Sequence, residues 1–123
     1  MRAWSAFILL VLLALPAAGL EPYLVKDINP LSSPDSSNPS ELVSFQGAAF
    51  FKADDGGPSS ALWRSDGTEA GTWRVAETCG PGCGGPVPFA VTESLYFFLG
   101  NTTRTGLWVT AGGPASTFQL TAV

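Results

Sequence analysis

The chain has 123 residues, enough for one ordinary domain, and a formal net charge of −4 at pH 7. Its basic residues are scattered singly, whereas binding to nucleic acid or to an anionic membrane surface needs clustered lysines and arginines. The sequence has no histidine, which excludes catalytic arrangements of the Ser-His-Asp and Cys-His kinds.

The first 19 residues have the pattern of a secretory signal peptide. Arg2 supplies a positive charge, an apolar run follows from Ala3 to Leu15, and small residues come after it. An apolar run of roughly 13 residues is shorter than the ~20 residues that a membrane-spanning helix needs. We therefore predict a helical signal peptide that is cleaved between Gly19 and Leu20. The mature chain is then secreted, periplasmic or at the cell surface, with no membrane segment.

Strand signals dominate the rest of the chain, and no window of helical length is amphipathic. Short runs rich in Val, Phe, Trp, Tyr and Thr lie between clusters of Gly, Pro, Asn, Asp and Ser. Residues 29–40 form a predicted Pro/Ser/Asn-rich loop. In chain order, the predicted strands are 23–28, 42–45, 48–53, 61–65, 72–77, 89–91, 94–99, 106–110 and 116–122.

The predicted strands repeat along the chain. Residues 42–51 align with 89–98, and the Leu-Trp pair at 62–63 aligns with the Leu-Trp pair at 107–108. Each unit holds four strands in about 45 residues, which is the size of one β-propeller blade. Sandwich domains space their strands similarly and remain an alternative.

We predict an all-β fold of two four-stranded antiparallel blade-like units, a partial β-propeller. An N-terminal strand and the Pro/Ser-rich loop occupy 20–41, the first unit occupies 42–86, and a second, degenerate unit occupies 87–123. Two blades cannot close a ring. We therefore expect the chain to be the N-terminal part of a longer repeat protein, with further blades in cis, or else to self-associate.

Residues 61–72, which read Ala-Leu-Trp-Arg-Ser-Asp-Gly-Thr-Glu-Ala-Gly-Thr, resemble the bacterial ELWxxDGTxxGT repeat proteins, with Ala61 in place of the usual Glu. Segments 24–30 and 50–56 are similar to other recurrent phrases of that family. The second unit has Ala-Gly-Gly at 111–113 where the signature has Asp-Gly-Thr. The resemblance implies an exported array of β-blades without an established shared activity.

The signature has a structural interpretation of its own. Asp66 and Gly67 are turn residues that tolerate positive φ, which predicts a two-residue hairpin. Ser65 and Thr68 are expected to bond to local backbone amides and stiffen the bend. We therefore interpret these residues as a structural turn and not as a functional site.

Two cysteines, Cys79 and Cys83, are even in number and lie in a chain predicted to be exported, which favours a disulfide between them. Such a small loop gains only ~2 kcal/mol in the chain-entropy picture, so the bridge would pin a connection and not hold the fold. A structural zinc site needs four Cys or His ligands, which this chain does not have.

Two weaker binding sites follow from residue type. Asp54 and Asp55 precede Gly-Gly on a predicted loop and could offer oxygen ligands to calcium, although a complete calcium loop alternates several acids over about twelve residues. Apart from calcium, no cofactor is predicted. The aromatic residues that could stack on a sugar are Trp63, Trp73, Tyr96 and Trp108.

These observations predict an exported, non-enzymatic β-repeat module that acts in extracellular or surface interactions with an unknown protein or glycan. A glycan- or calcium-binding module is the alternative. The N-terminal fragment of a secreted hydrolase is a further one, because ten acidic residues could supply a catalytic carboxylate pair.

Overall fold

A computed structural model of the chain describes residues 21–30, 36–78, 83–101 and 106–122. The predicted signal peptide and its cleavage site between Gly19 and Leu20 lie outside these ranges. The described residues form two four-stranded antiparallel sheets, which confirms the predicted all-β fold class. Within the described part of the chain, no helix has the length and apolar character that a membrane crossing needs.

Each sheet is a simple meander in which strands that follow one another along the chain are hydrogen-bonded neighbours. The first sheet consists of β1 (Ser40–Phe45), β2 (Ala48–Ala53), β3 (Ala61–Ser65) and β4 (Trp73–Ala76). The second sheet consists of β5 (Gly85–Val91), β6 (Tyr96–Asn101), β7 (Gly106–Thr110) and β8 (Thr117–Ala122), with a short 3-10 helix at Pro114–Ser116 between the last two strands. The strand β5 thus begins before the predicted boundary between the two units.

The duplication extends to the pairing of individual residues. Phe51 is opposite Trp63 in the first sheet, and the equivalent Phe98 is opposite Trp108 in the second. The irregularity between Leu62 and Trp63 in β3 recurs at the equivalent step in β7. The first and second strands of each sheet also share a bulge at equivalent places. Both units therefore have the same register as well as the same strand order.

We name the two faces of each sheet by these paired residues. The front face of the first sheet carries Phe50 and Leu62, and the front face of the second carries the equivalent Phe97 and Leu107. Each back face carries the Phe-Trp pair described above. Cross-strand partners lie on the same face, and successive residues of a strand lie on opposite faces, so the register defines both faces.

The core lies between the front of the first sheet and the back of the second. Phe50 approaches Tyr96 edge-on with ring centroids 5.8 Å apart, and Phe98 stacks on Trp108 at 6.2 Å. Such aromatic pairs contribute about 0.5–1.5 kcal/mol each beyond the area that they bury. The buried residues of this core are Phe45, Ala48, Phe50, Leu62, Val75, Tyr96 and Phe98. The sheets therefore stack front to back.

The predicted strand at 23–28 was wrong, because residues 21–30 contain no strand. The segment is held through side chains. The Tyr23 hydroxyl donates to the carbonyl of Gly67 at 3.0 Å, and Lys26 Nζ donates to the carbonyl of Thr72 at 2.9 Å. Ile28 packs against the buried cluster on the back of the first sheet. The segment thus contacts the first unit through side chains without joining its sheet.

Phe98 has no exposed surface, so replacing it by alanine is expected to destabilise the fold strongly. Removing a buried phenylalanine costs about 3–5 kcal/mol, through lost burial and the cavity left behind. Phe89 is 64% exposed, and the matched substitution Phe89→Ala is expected to change the free energy of unfolding by less than about 0.5 kcal/mol. Urea denaturation of both variants measures the difference. Equal losses would contradict the placement of Phe98 in the core.

Burial, with a smaller contribution from the negative charge of Glu41, raises the pKa of Tyr96 to about 12 from an ordinary value of 10.0. Because the folded-state pKa is the higher one, this stabilisation is complete below pH 10.0 and is lost as the pH rises through about 12. Tyr96→Phe should remove that alkaline loss. Urea denaturation across this range checks it, and identical pH dependence in wild type and variant would contradict the burial of Tyr96.

Candidate functional site

The connection between β3 and β4 is closed by side-chain hydroxyl and carboxylate groups. Ser65 Oγ accepts a hydrogen bond from the amide of Gly67 at 3.1 Å and lies 2.7 Å from Thr72 Oγ1. Asp66 Oδ1 accepts from the Thr68 hydroxyl at 2.7 Å and from its amide at 3.0 Å, and these bonds lower the pKa of Asp66. Gly67 has a φ of 91°, a left-handed value that glycine adopts without strain.

This turn differs from the predicted two-residue hairpin because the connection runs from residue 66 to residue 72. A true two-residue hairpin joins β1 to β2, where Gln46 and Gly47 have φ values of 50° and 72°. In the longer turn, the Thr68 hydroxyl accepts a bond from the amide of Gly71, and Thr72 Oγ1 donates to the carbonyl of Thr68 at 2.6 Å. Hydrogen bonds within the turn therefore engage the polar side chains of the signature.

The second unit builds the same turn without the Asp-Gly-Thr signature. Thr110 Oγ1 accepts from the amide of Gly112 at 3.0 Å and lies 2.7 Å from Thr117 Oγ1. Thr117 Oγ1 also lies 2.7 Å from the carbonyl of Gly113, as Thr72 Oγ1 does from that of Thr68. The shared elements are hydroxyl residues at the two ends of the turn and a glycine between them. These hydroxyl positions are a feature that the sequence analysis missed.

The weak calcium candidates are engaged with donors of the protein itself. Asp55 Oδ2 lies 3.2 Å from Arg74 Nη1, and Asp55 Oδ1 accepts from the amide of Gly57 at 3.0 Å. Asp54 accepts a hydrogen bond from the Ser60 hydroxyl. In the ranges that the structure describes, no three His, Cys, Asp or Glu side chains form a group that could hold a metal ion. The geometry of this loop is that of an ion-paired turn.

The four aromatic residues considered for sugar stacking do not form an exposed platform. Trp63 is 7% exposed, on the back of the first sheet, and Tyr96 is 1% exposed, in the core. Trp73 and Trp108 are partly buried against that core, and the Arg64 guanidinium lies 5.1 Å from the centre of the Trp73 ring. Of the recurring tryptophans, Trp108 thus packs between the two sheets, and Trp63 packs on the back of the first sheet with Ile28.

Of the two cysteines, Cys83 is not a free thiol. Cys79 lies outside the described residues, so the bridge between Cys79 and Cys83 stays a prediction. In the sequence, both residues fall within the connection from β4 to β5.

The feature with an evident capacity to bind is the front face of the second sheet. Phe97 is opposite Val109, and Val109 is opposite Phe118, so all three lie on this face. Phe118 is 56% exposed and Leu120, the equivalent of the buried Val75, is 45% exposed. An antiparallel sheet with one face in water normally carries polar residues on that face. This face is instead apolar, as is usual for binding surfaces.

The two outermost faces of the stacked sheets differ in how far their apolar side chains are covered. On the back of the first sheet, Phe51 and Trp63 are 8% and 7% exposed, and Ile28 of segment 21–30 packs against their cluster. On the front of the second sheet, Leu95 joins Phe118 and Leu120 among the exposed large apolar residues. The first unit thus has a covering segment over its outer face. The second unit exposes Phe118 and Leu120 on its outer face, where Val109 is buried.

Comparison of the chain with protein-family models, with curated proteins and with solved structures finds no match. The resemblance to the ELWxxDGTxxGT repeat proteins therefore rests on the motif residues 61–72 and the similar segments named above.

Thr72→Val and Thr117→Val should each destabilise the fold by about 1 kcal/mol, because each removes a hydroxyl that bonds within its turn. Similar losses in the two variants are expected, although only the first turn carries the signature. Thermal or urea unfolding measures both. Thr78→Val is the control, because the buried Thr78 hydroxyl has no hydrogen-bond partner to lose among the described residues. A loss confined to Thr72→Val would show that the two turns are not equivalent.

Proposed function

We propose that this chain is an exported, non-enzymatic interaction module that binds its partner through the front face of the second sheet. The observation that carries the proposal is the chemistry of that face. It is apolar at the positions equivalent to the core residues Phe50, Leu62 and Val75 of the first sheet. Phe118 and Leu120 are exposed there, and so is Leu95, which directly precedes β6. Covering the exposed part of these side chains would contribute on the order of 1 kcal/mol each.

The charged groups support a binding role over a catalytic one. Asp55 and Glu77 both contact Arg74, at 3.2 and 3.7 Å, and Asp66 is bonded to the turn that contains it. General acid–base chemistry needs such groups to converge on a substrate site with shifted pKa values. These carboxylates instead form ion pairs and hydrogen bonds that stabilise the loops in which they lie.

Export is supported by the signal-peptide pattern of the first 19 residues. A Cys79–Cys83 disulfide would suit an oxidising compartment and would pin the connection between the sheets. We accordingly propose that the mature protein begins at Leu20 and acts outside the cytoplasm.

Binding of an apolar fluorescent probe to the exported protein tests the role of the face. Wild type is expected to bind the probe, and Phe118→Glu is expected to lose most of the fluorescence, because the charge lies beside the exposed apolar side chains of this face. Phe89→Glu is the matched control. Phe89 is 64% exposed, and the pairing of β5 with β6 passes over it, from Pro88 to Ala90. Undiminished probe binding by Phe118→Glu would contradict the proposal.

A further inference from the structure

We infer that the front face of the second sheet docks on the back face of the first sheet in a second copy of the chain, so that copies associate head to tail. This inference rests on the proposed function, because it uses the same face, and it names the partner. It follows from how the two sheets of one chain pack together.

The packing inside the chain shows which surface fits a front face. Phe50 and Leu62 on the front of the first sheet share one buried cluster with Tyr96 and Phe98 on the back of the second. Trp108, opposite Phe98 in the register, packs against the same cluster. A front face is therefore complementary to a back face that carries a Phe-Trp pair.

Each copy carries a second back face of the same design. On the first sheet, Phe51 and Trp63 stand opposite each other as Phe98 and Trp108 do on the second. One difference in side-chain size is partly compensated. Ala49 stands at the place of Tyr96 on this back face, and the larger Leu95 stands at the place of Ala48 on the front face that would meet it. Both halves of the interface are thus present in one chain.

The free front face is also easier to desolvate than its buried counterpart. Arg64 lies on the front of the first sheet, where it stacks on Trp73 and donates to the carbonyl of Gly71 at 2.8 Å. The equivalent residue of the second sheet is Val109, opposite Phe118. The docking front face therefore brings no guanidinium of its own into the contact. The back face that receives it carries Arg74 opposite Trp63, and this guanidinium enters the contact paired with Asp55 at 3.2 Å. A charge that keeps its partner costs less to bury than one without.

Segment 21–30 occupies the back of the first sheet and must give way to the docking copy. Its attachment consists of the side-chain bonds of Tyr23 and Lys26 and the packing of Ile28, with no backbone ladder. Tyr23 is 72% exposed and Leu24 is 80% exposed, so the segment covers the face without burying itself. Because the segment competes from within the same chain, we expect association in the micromolar range or weaker.

The geometry of such a contact is heterologous, since two different surfaces meet. This separates it from a two-fold dimer in which two front faces pair. A variant with a damaged front face would still offer an intact back face to wild type in the head-to-tail arrangement. In the two-fold arrangement it would be excluded from any pair.

Light scattering after size exclusion, with the exported protein from about 1 μM to about 1 mM, measures the association. Wild type is expected to gain mass with concentration, and Phe118→Glu and Leu120→Glu are expected to weaken association at least about 30-fold. Phe89→Glu should associate like wild type. Tyr23→Phe combined with Lys26→Met should associate several-fold more tightly, because it loosens the covering segment. Circular dichroism establishes that each variant is folded.

Native mass spectrometry of wild type mixed with isotope-labelled Phe118→Glu tests the direction of the contact. A heterodimer of wild type and variant, without dimers of the variant, is the expected result. Self-association of wild type without that heterodimer would overturn the head-to-tail inference. The inference would also be overturned if wild type and the Tyr23/Lys26 variant were both monomeric at every concentration. In that last case, probe binding that depends on Phe118 would leave the proposed function intact.

Discussion

The structure depends on one contact, the packing of Phe50 on the front of the first sheet against Tyr96 on the back of the second. Their rings meet edge-on, and Phe45 and Phe98 extend the same aromatic cluster. A lone four-stranded sheet of this size cannot bury both of its apolar faces. Stacking front to back covers one face of each sheet and leaves the two outermost faces to be covered otherwise.

The turns allow two sequences of different composition to form the same sheet. Ser65 and Thr72 in the first unit, and Thr110 and Thr117 in the second, hold the ends of equivalent connections through their hydroxyl groups. The Asp66 carboxylate strengthens the first turn, and the second turn does without it. The second unit, with Ala-Gly-Gly at residues 111–113, therefore has the same register as the first.

Much of this fold could be predicted from the sequence. The strands at 48–53, 61–65 and 106–110 have the bounds expected from their apolar runs and flanking turn residues. The internal alignment matched residues that occupy equivalent places in the two sheets, and the Phe-Trp pairing became visible only in the structure. The segment 21–30 could not be placed correctly. Its composition is that of a strand. Whether such a segment pairs as a strand or packs through its side chains depends on whether a sheet edge or a sheet face is available to it.

The candidate site was harder to predict than the fold. Adjacent phenylalanines at 50–51 and 97–98 place apolar side chains on both faces of each sheet, but only the stacking direction shows which face of which sheet is outermost. Phe118 and Leu120 looked like ordinary strand residues until their equivalence to Trp73 and Val75 placed them on the outer face. The tryptophans that suggested sugar binding are buried or partly buried against apolar clusters, because their place in the sheet decides their exposure.

The stacking direction can be tested directly by proton NMR contacts in the folded protein. The account predicts nuclear Overhauser effects between the ring protons of Phe50 and those of Tyr96, whose centroids lie 5.8 Å apart. Contacts between cross-strand partners such as Phe51 and Trp63 serve as the internal reference. Reference contacts without any between Phe50 and Tyr96 would show that the two sheets do not stack front to back, and would contradict the account.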